Sequence, residues 1–316
     1  MQRKAAEPPA DRAPPGTPVT GGDLESALER LRSEVDDPVA GLFGPGSKVW
    51  EVNREGVLFL GGGRAVLLQL AHPFVAHAIE QHSTTRRDPV ARFQRTFEHV
   101  FAMVYGDLDS AIDSARRVHA LHRRINGAID EDVGSFRRGD PYAANVAEAL
   151  LWVHATLWDT SVQVYELVVR KLSAEEKDRY WSETKRFALL FGIPEAILPV
   201  DWSGFQEYCR SMFASSTLAV GAPAAEMARF ILAAPGWPLS SWFAPVTMAL
   251  LPERIRHQYR EPLGLAEQAL TNVSLQALRA AWWAMPGWLR HLPAYRAAQR
   301  RIAQAPASRV RVATER

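Results

Sequence analysis

Apolar residues recur at three- and four-residue spacing along most of this chain, and two-residue alternation bounded by hairpin turns is absent. That periodicity predicts an all-α fold. The longest predicted helix runs from Ala144 to Leu172. Asp140-Pro141 suits its entry, and Lys171 falls in its last turn, where a cation meets the negative end of the helix dipole. Ala147, Leu150, Leu151, His154, Trp158, Ser161, Val162 and Tyr165 share one of its faces. Every neighbour of His154 on that face is apolar or small. This helix is therefore expected to be buried, with the others packed around it.

Read in order, residues 1–22 are rich in Pro and Ala and predict a disordered leader. A short amphipathic helix follows from Asp23 to Val35, then a Pro- and Gly-containing loop from Pro38 to Ser47. Val49 to Leu60 ends in an apolar run broken by Gly61-Gly62-Gly63. This triplet lacks the Lys-Ser/Thr of a phosphate-binding loop and reads as a flexible helix junction. Arg64 to Gln81 predicts one helix, kinked beside His72 because Pro73 removes a backbone donor. Asp88-Pro89 opens a helix to Tyr105, and another spans Asp109 to Ile125. Asn126 to Asp140 reads as a loop. Ser173 and Glu176 have the spacing of a capping box for a helix to about Leu190. Further helices are expected over Trp202–Phe213, Leu263–Met285 and Pro293–Ala303. No linker divides residues 23–304, which predict a single globular multi-helix domain, and residues 305–316 form a basic tail.

The composition narrows the function. With 316 residues, 47% of them hydrophobic, the chain is long enough for an ample core. A net charge of +2, without a concentrated basic face, argues against nucleic-acid binding. The lone cysteine, Cys209, excludes an internal disulfide and fits a reducing compartment. The first residues lack an apolar signal core, and no run of about 18 apolar residues suggests a transmembrane helix. A cytoplasmic protein is expected. Trp237, Trp242, Trp282, Trp283 and Trp288 read as packing residues, or as the lining of an entrance or a peripheral membrane contact.

Several chemistries are excluded by motif. There is no His-Glu-x-x-His for a zincin, no Glu-x-x-His for a di-iron bundle, no Cys-x-x-Cys-His for covalent haem and no Gly-x-Ser-x-Gly elbow. Cys209 reads as a small core residue. What remains is histidine embedded in apolar helices. His154 is either the axial imidazole of a non-covalent haem or a core histidine satisfied by hydrogen bonds. His72 is the second candidate ligand. Its alternative is an imidazole bonded to the carbonyl freed near Gln69.

The segments GGGRAVLLQLAHPFVAHAIEQHS, DPVARFQRTFEHVFAMVYGD, ARRVHALHRRINGAI, LLWVHATLWDT and RFALLFGIPEAILP occur in this order. Together they resemble the MpaB and rubber-oxygenase (latex clearing protein-like) family over about Val49 to Met212. The resemblance implies an all-helical fold holding haem b, with His154 as axial ligand of the iron. It also implies dioxygen-dependent cleavage of double bonds in a hydrophobic, isoprenoid substrate. On that basis Arg117 and His119 are candidates for the distal side or a haem propionate, and Arg64 for a propionate. For Arg123 and Arg124 a solvated basic face is preferred. The polyisoprene cleavers of this family place a lysine over the iron, and no lysine occurs from Asp107 to Arg170. Three readings follow: a haem-dependent oxygenase, a haem or gas-binding protein without turnover, and a cofactor-free helical interaction protein.

Overall fold

Pro73 divides what the hydrophobic pattern joins. In the computed structural model, which describes residues 16–83, 89–233, 240–260 and 263–305, the expected kinked helix is two helices. The segments Gly56–Leu70 and Pro73–His82 meet at 99°. A proline fits the first turn of a helix, where no N–H is needed, but clashes with the preceding turn in a helix interior. His72, before it, takes the extended backbone that proline imposes (φ −86°, ψ 117°). Carbonyls around the break, whether open or already bonded within the helix as Leu67 O is to Ala71 N–H, accept from distant donors. The Tyr259 hydroxyl donates to Leu67 O at 2.6 Å, Trp152 Nε1 to Leu68 O at 2.9 Å and the Ala219 N–H to Ala71 O at 2.8 Å. Gln69 O accepts the His72 backbone N–H at 3.1 Å, so the expected bond from the His72 ring does not form.

The N-terminal half contains α1 (Gly21–Glu34), α2 (Lys48–Asn53), a 3-10 turn (Gly56–Gly61), α3 (Gly62–Leu70), α4 (Pro73–His82), α5 (Pro89–Tyr105) and α6 (Leu108–His122). A two-stranded ribbon, β1 (Asn126–Ala128) and β2 (Pro141–Ala143), leads into α7 (Ala147–Val168) and α8 (Ala174–Leu189). After a short 3-10 turn (Glu195–Ile197) come α9 (Trp202–Ala214), α10 (Ala222–Ala233), α11 (Ser240–Leu250) and α12 (Glu253–Tyr259). The chain ends in α13 (Leu265–Ala284), α14 (Gly287–Arg290) and α15 (Pro293–Gln304). The all-α class holds, and the expected capping box begins α8 at Ser173/Glu176; a second, not read from the sequence, begins α1 at Thr20/Asp23. Trp237, Asp88 and the tail from residue 306 lie outside the described residues, as does the leader up to residue 15.

Two expectations near α7 need correction. Pro141 does not open the helix: it starts β2, antiparallel to β1 in the register Asn126↔Ala143 and Ala128↔Pro141. Strands of three residues are too short to leave an alternation signal. The end of the leader is also ordered. Val146 offers no side-chain cap to α7, and the backbone of the leader replaces it: Ala147 N–H donates to Thr17 O at 2.9 Å, and Val19 N–H to Asn145 O at 2.8 Å. Val19 is buried with Ala147, Leu150 and Leu151. An uncapped helix start leaves its first N–H groups unpaired, and here a neighbouring strand-like segment takes one of them.

Central burial of α7 holds. It packs against α2, α3, α8, α9, α13 and the Gly56–Gly61 turn. Toward α3 it presents a column of polar partners: Trp152 to Leu68 O, Thr156 Oγ1 accepting from Gln69 Nε2 at 3.0 Å, and Asp159 with Thr160 around Arg64. The C-terminal helices dock on a buried carboxylate. Glu55 accepts from Trp282 Nε1 at 2.9 Å and from Arg290 Nη2 at 3.1 Å, while Leu292 N–H donates to Arg54 O.

The glycine triplet is a packing device, not a flexible junction. A Cβ on Gly61 would overlap Thr160 and Val164 of α7, and one on Gly63 would overlap Thr247 and Phe243 of α11. Gly62 faces open space, with nothing within 4 Å. Overpacking of this kind costs about 1–3 kcal/mol. Gly61→Ala and Gly63→Ala should therefore each lower stability in urea unfolding by about that amount. Gly62→Ala, helical and unobstructed, should be neutral or gain up to about 1 kcal/mol. Equal effects at all three positions would refute the close-packing account.

Candidate functional site

Among the described residues four histidines are buried: His72, His77, His119 and His154. The partner of Nδ1 distinguishes them, because a neutral imidazole carries one proton and the nitrogen that accepts a bond leaves that proton on the other. His154, in the middle of α7, is 2% exposed. Its Nδ1 accepts from Trp158 Nε1 at 3.0 Å, one turn on. An indole N–H can only donate, so the ring proton lies on Nε2. That Nε2 is buried and has no hydrogen-bond partner. Trp158, Trp181 and Phe187 surround the ring at centroid distances of 5.7, 5.8 and 6.0 Å. Desolvation pushes its pKa down to about 3.

His72 caps α4. The Phe74 N–H donates to its Nδ1 at 3.2 Å, and its ring packs on Phe74 and Phe136. Burial lowers its pKa to about 4. In this role it anchors the helix that Pro73 starts. His119, on α6, is buried beside Asn145, whose Nδ2 meets its Nδ1 at 3.5 Å. His119 Nε2 and Asn145 Oδ1 are both buried without partners. Desolvation, reinforced by Arg123, lowers the pKa of this ring, against an opposing pull from Glu25 and Asp23. It is a neutral N–H donor at neutral pH.

The two arginines do not sit where the sequence suggested. Arg117 is on the outer face of α6, its side chain 72% exposed and 3.8 Å from Asp113. Arg117 lies two residues from His119, about 200° around the helix, so with His119 facing inward Arg117 falls on the solvent side. Arg64 is buried, but its donors are used: Nη2 to Asp159 Oδ2 at 2.6 Å, Nη1 to Thr160 Oγ1 at 2.5 Å and Nε to Leu250 O at 2.9 Å. A propionate would have to displace Asp159. Arg64 instead ties α3 to α7 and to the end of α11.

The structure adds a residue that sequence reasoning missed. His77 of α4 is 1% exposed, with Nδ1 at 2.9 Å from Pro73 O and Nε2 at 2.9 Å from Asp130 Oδ1. Glu131 Oε1 lies 3.9 Å from the same nitrogen. Asp130 stands 53 positions downstream, with Glu131 next to it, so no local motif reveals the pair. Two surface cavities, of about 500 and 290 Å³, are lined by Val39, Asp107 and Arg301 and by Gln163, Glu166 and Leu250 respectively. Neither is lined by any of the four buried histidines.

These facts test a haem site at His154. The donor atom fits: a buried, neutral imidazole whose Nε2 has no protein partner is what an axial ligand requires. The proton on Nε2 must first leave, because only the lone pair can bind iron. Trp158 holds the ring in the opposite tautomer, and the ring's three aromatic neighbours must separate to admit a macrocycle.

Burial of neutral rings has a pH signature. Both His154 and His72 titrate in the folded chain below the ordinary value of 6.5, so the unfolded chain binds more protons as pH falls through 6.5. Their stabilising contribution is present above 6.5 and is lost from there down to about 4 for His72 and about 3 for His154. Each ring contributes a slope of up to about 1.4 kcal/mol per pH unit. Urea unfolding at pH 7, 6 and 5 should show falling stability, with a shallower fall in His154→Phe. A flat profile, or an unchanged slope in the variant, would contradict the assignment.

A family model described as "ER-bound oxygenase mpaB/B'/Rubber oxygenase, catalytic domain" matches residues 49–285. Two uncharacterised mycobacterial proteins, one from Mycobacterium bovis and one from Mycobacterium tuberculosis, are each 24% identical over 226 residues, covering 68% of this chain and 85% of theirs. No solved structure matches. The matched span takes in all four buried histidines, and the chain belongs to the mpaB/B' and rubber-oxygenase catalytic-domain family.

Proposed function

We propose that this chain is an oxygenase using haem b held by His154 to oxidise an apolar, unsaturated substrate of isoprenoid class with dioxygen. One observation carries the reading. In the middle of α7, inside the span matched to the oxygenase family, a buried neutral imidazole keeps one nitrogen without a protein partner. When bound, haem iron supplies dioxygen activation, which no protein side chain provides.

The residues of the chain have separate tasks. His154 offers Nε2 once its proton moves to Nδ1, and that move needs the Trp158 indole to turn away. The rings of Trp158, Trp181 and Phe187 exclude water and favour an apolar ligand over a polar one. His119, with its proton on Nε2, is the proposed donor to a developing oxyanion, in place of the lysine this segment lacks. Arg117 is too exposed for that role. Leu265, Leu270, Val273, Trp283, Trp288 and Leu289 are exposed on α13 and α14. They support contact with a lipid surface, the phase in which such a substrate dissolves. A cytoplasmic location is proposed from the single buried thiol, Cys209.

Chain expressed with ample haem should show a Soret band. His154→Ala should lose it, while Trp158→Phe should hold haem at least as tightly as the parent, since no donor then fixes the ring. Haem retained in His154→Ala would refute the ligand assignment. With labelled dioxygen and an isoprenoid panel, both oxygen atoms should appear in carbonyl products. Full haem loading without labelled product would remove the oxygenase reading and leave a haem-binding protein.

A further inference from the structure

We propose that His77, Asp130 and Glu131 form a binding site for a first-row divalent cation, separate from His154. Pro73 O can only accept a hydrogen bond, so His77 Nδ1, 2.9 Å away, must carry the proton. Nε2 then presents a lone pair, and it faces Asp130 Oδ1 at 2.9 Å and Glu131 Oε1 at 3.9 Å. Three electron-pair donors converge on one point. Such a meeting is repulsive unless a cation lies among them, either a metal ion or a second ring proton.

Several features favour the metal. An imidazole whose Nδ1–H is anchored on a backbone carbonyl is the arrangement that orients metal-binding histidines, because it fixes the ring and strengthens the other nitrogen as a donor. Of the four buried histidines, His77 alone has it: Nδ1 of His72, His119 and His154 accepts instead. The ligand atoms of the three residues lie within 4.8 Å of one another. Glu131 is held by the Ala222 N–H at the start of α10, at 3.0 and 3.1 Å, which leaves its outward lone pairs free. Gly221 makes this approach possible, since a Cβ there would overlap Glu131. Asp130 is 47% exposed, which gives an ion a path from solvent and gives the carboxylate freedom to close on it.

One imidazole and two carboxylates match the charge of a divalent ion. The mixed nitrogen and oxygen set suits Zn²⁺ or Mn²⁺. Bound there, the ion would join α4, the segment after β1 and the start of α10, three pieces that the break at Pro73 brings together. The site does not depend on the haem reading, and either can fail alone.

The test uses the full chain with Zn²⁺ alone in calorimetry and Mn²⁺ alone in NMR. We expect one equivalent of Zn²⁺, bound at least about tenfold more weakly by Asp130→Asn and by Glu131→Gln, and unchanged in His257→Gln, an exposed histidine on α12. Mn²⁺ should selectively broaden the His77 ring signals. That second readout uses the unaltered chain and so stands even where a variant misfolds. No stoichiometric uptake, uptake indifferent to Asp130→Asn, or a His77 ring with protons on both nitrogens and no response to Mn²⁺ would overturn the site and leave an imidazolium–carboxylate pair.

Discussion

Burial of most of α7 is the constraint from which the rest follows. Polar side chains on its buried faces have no water to satisfy them, so each must find a partner or carry a cost of about 1–3 kcal/mol. Trp152, Thr156, Asp159 and Thr160 find theirs on α3, through Leu68 O, Gln69 and Arg64. Gly61 and Gly63 bring the α3 region close enough to α7 and α11 for this contact. Because Trp152 takes a carbonyl at the end of α3, the break at Pro73 and the burial of α7 depend on each other. The leader completes the arrangement by pairing with the first N–H of α7.

The same constraint sorts the histidines. Burial keeps His72 and His154 neutral, and what each buried ring can do is decided by which nitrogen its neighbour occupies. Trp158 donates to His154 and a backbone N–H donates to His72, so both keep the proton on Nε2. For His77 the neighbour is a carbonyl, and the opposite nitrogen is left as the base. Identical side chains, all in apolar helices, thereby acquire a cap, a proposed haem ligand and a candidate metal donor.

Much of the fold is legible from periodicity alone. The apolar face through His154 predicts the burial of α7, and Ser173 with Glu176 predicts the start of α8 at the residue where it begins. Pro73 signals an interruption, but its size depends on donors from Trp152, Ala219 and Tyr259, far away in sequence. The site is less legible. Burial of His154 follows from its neighbours, and the family resemblance from ordered segments, whereas the exposure of Arg117 depends on which side of α6 faces the core, since it lies opposite buried His119. Arg64 looks free in sequence and is consumed by Asp159, which only the packing of α3 on α7 reveals. His77 carries no motif, since its partners arrive by tertiary contact from the segment after β1.

The most direct test is a long-range ¹H–¹⁵N correlation spectrum of the imidazole rings at neutral pH, recorded on the chain without added metal or haem. The account predicts neutral His154 and His72 rings protonated at Nε2, and a His77 ring protonated at Nδ1. A His154 ring protonated at Nδ1 would contradict it, because Trp158 could not then be the donor that sets the tautomer.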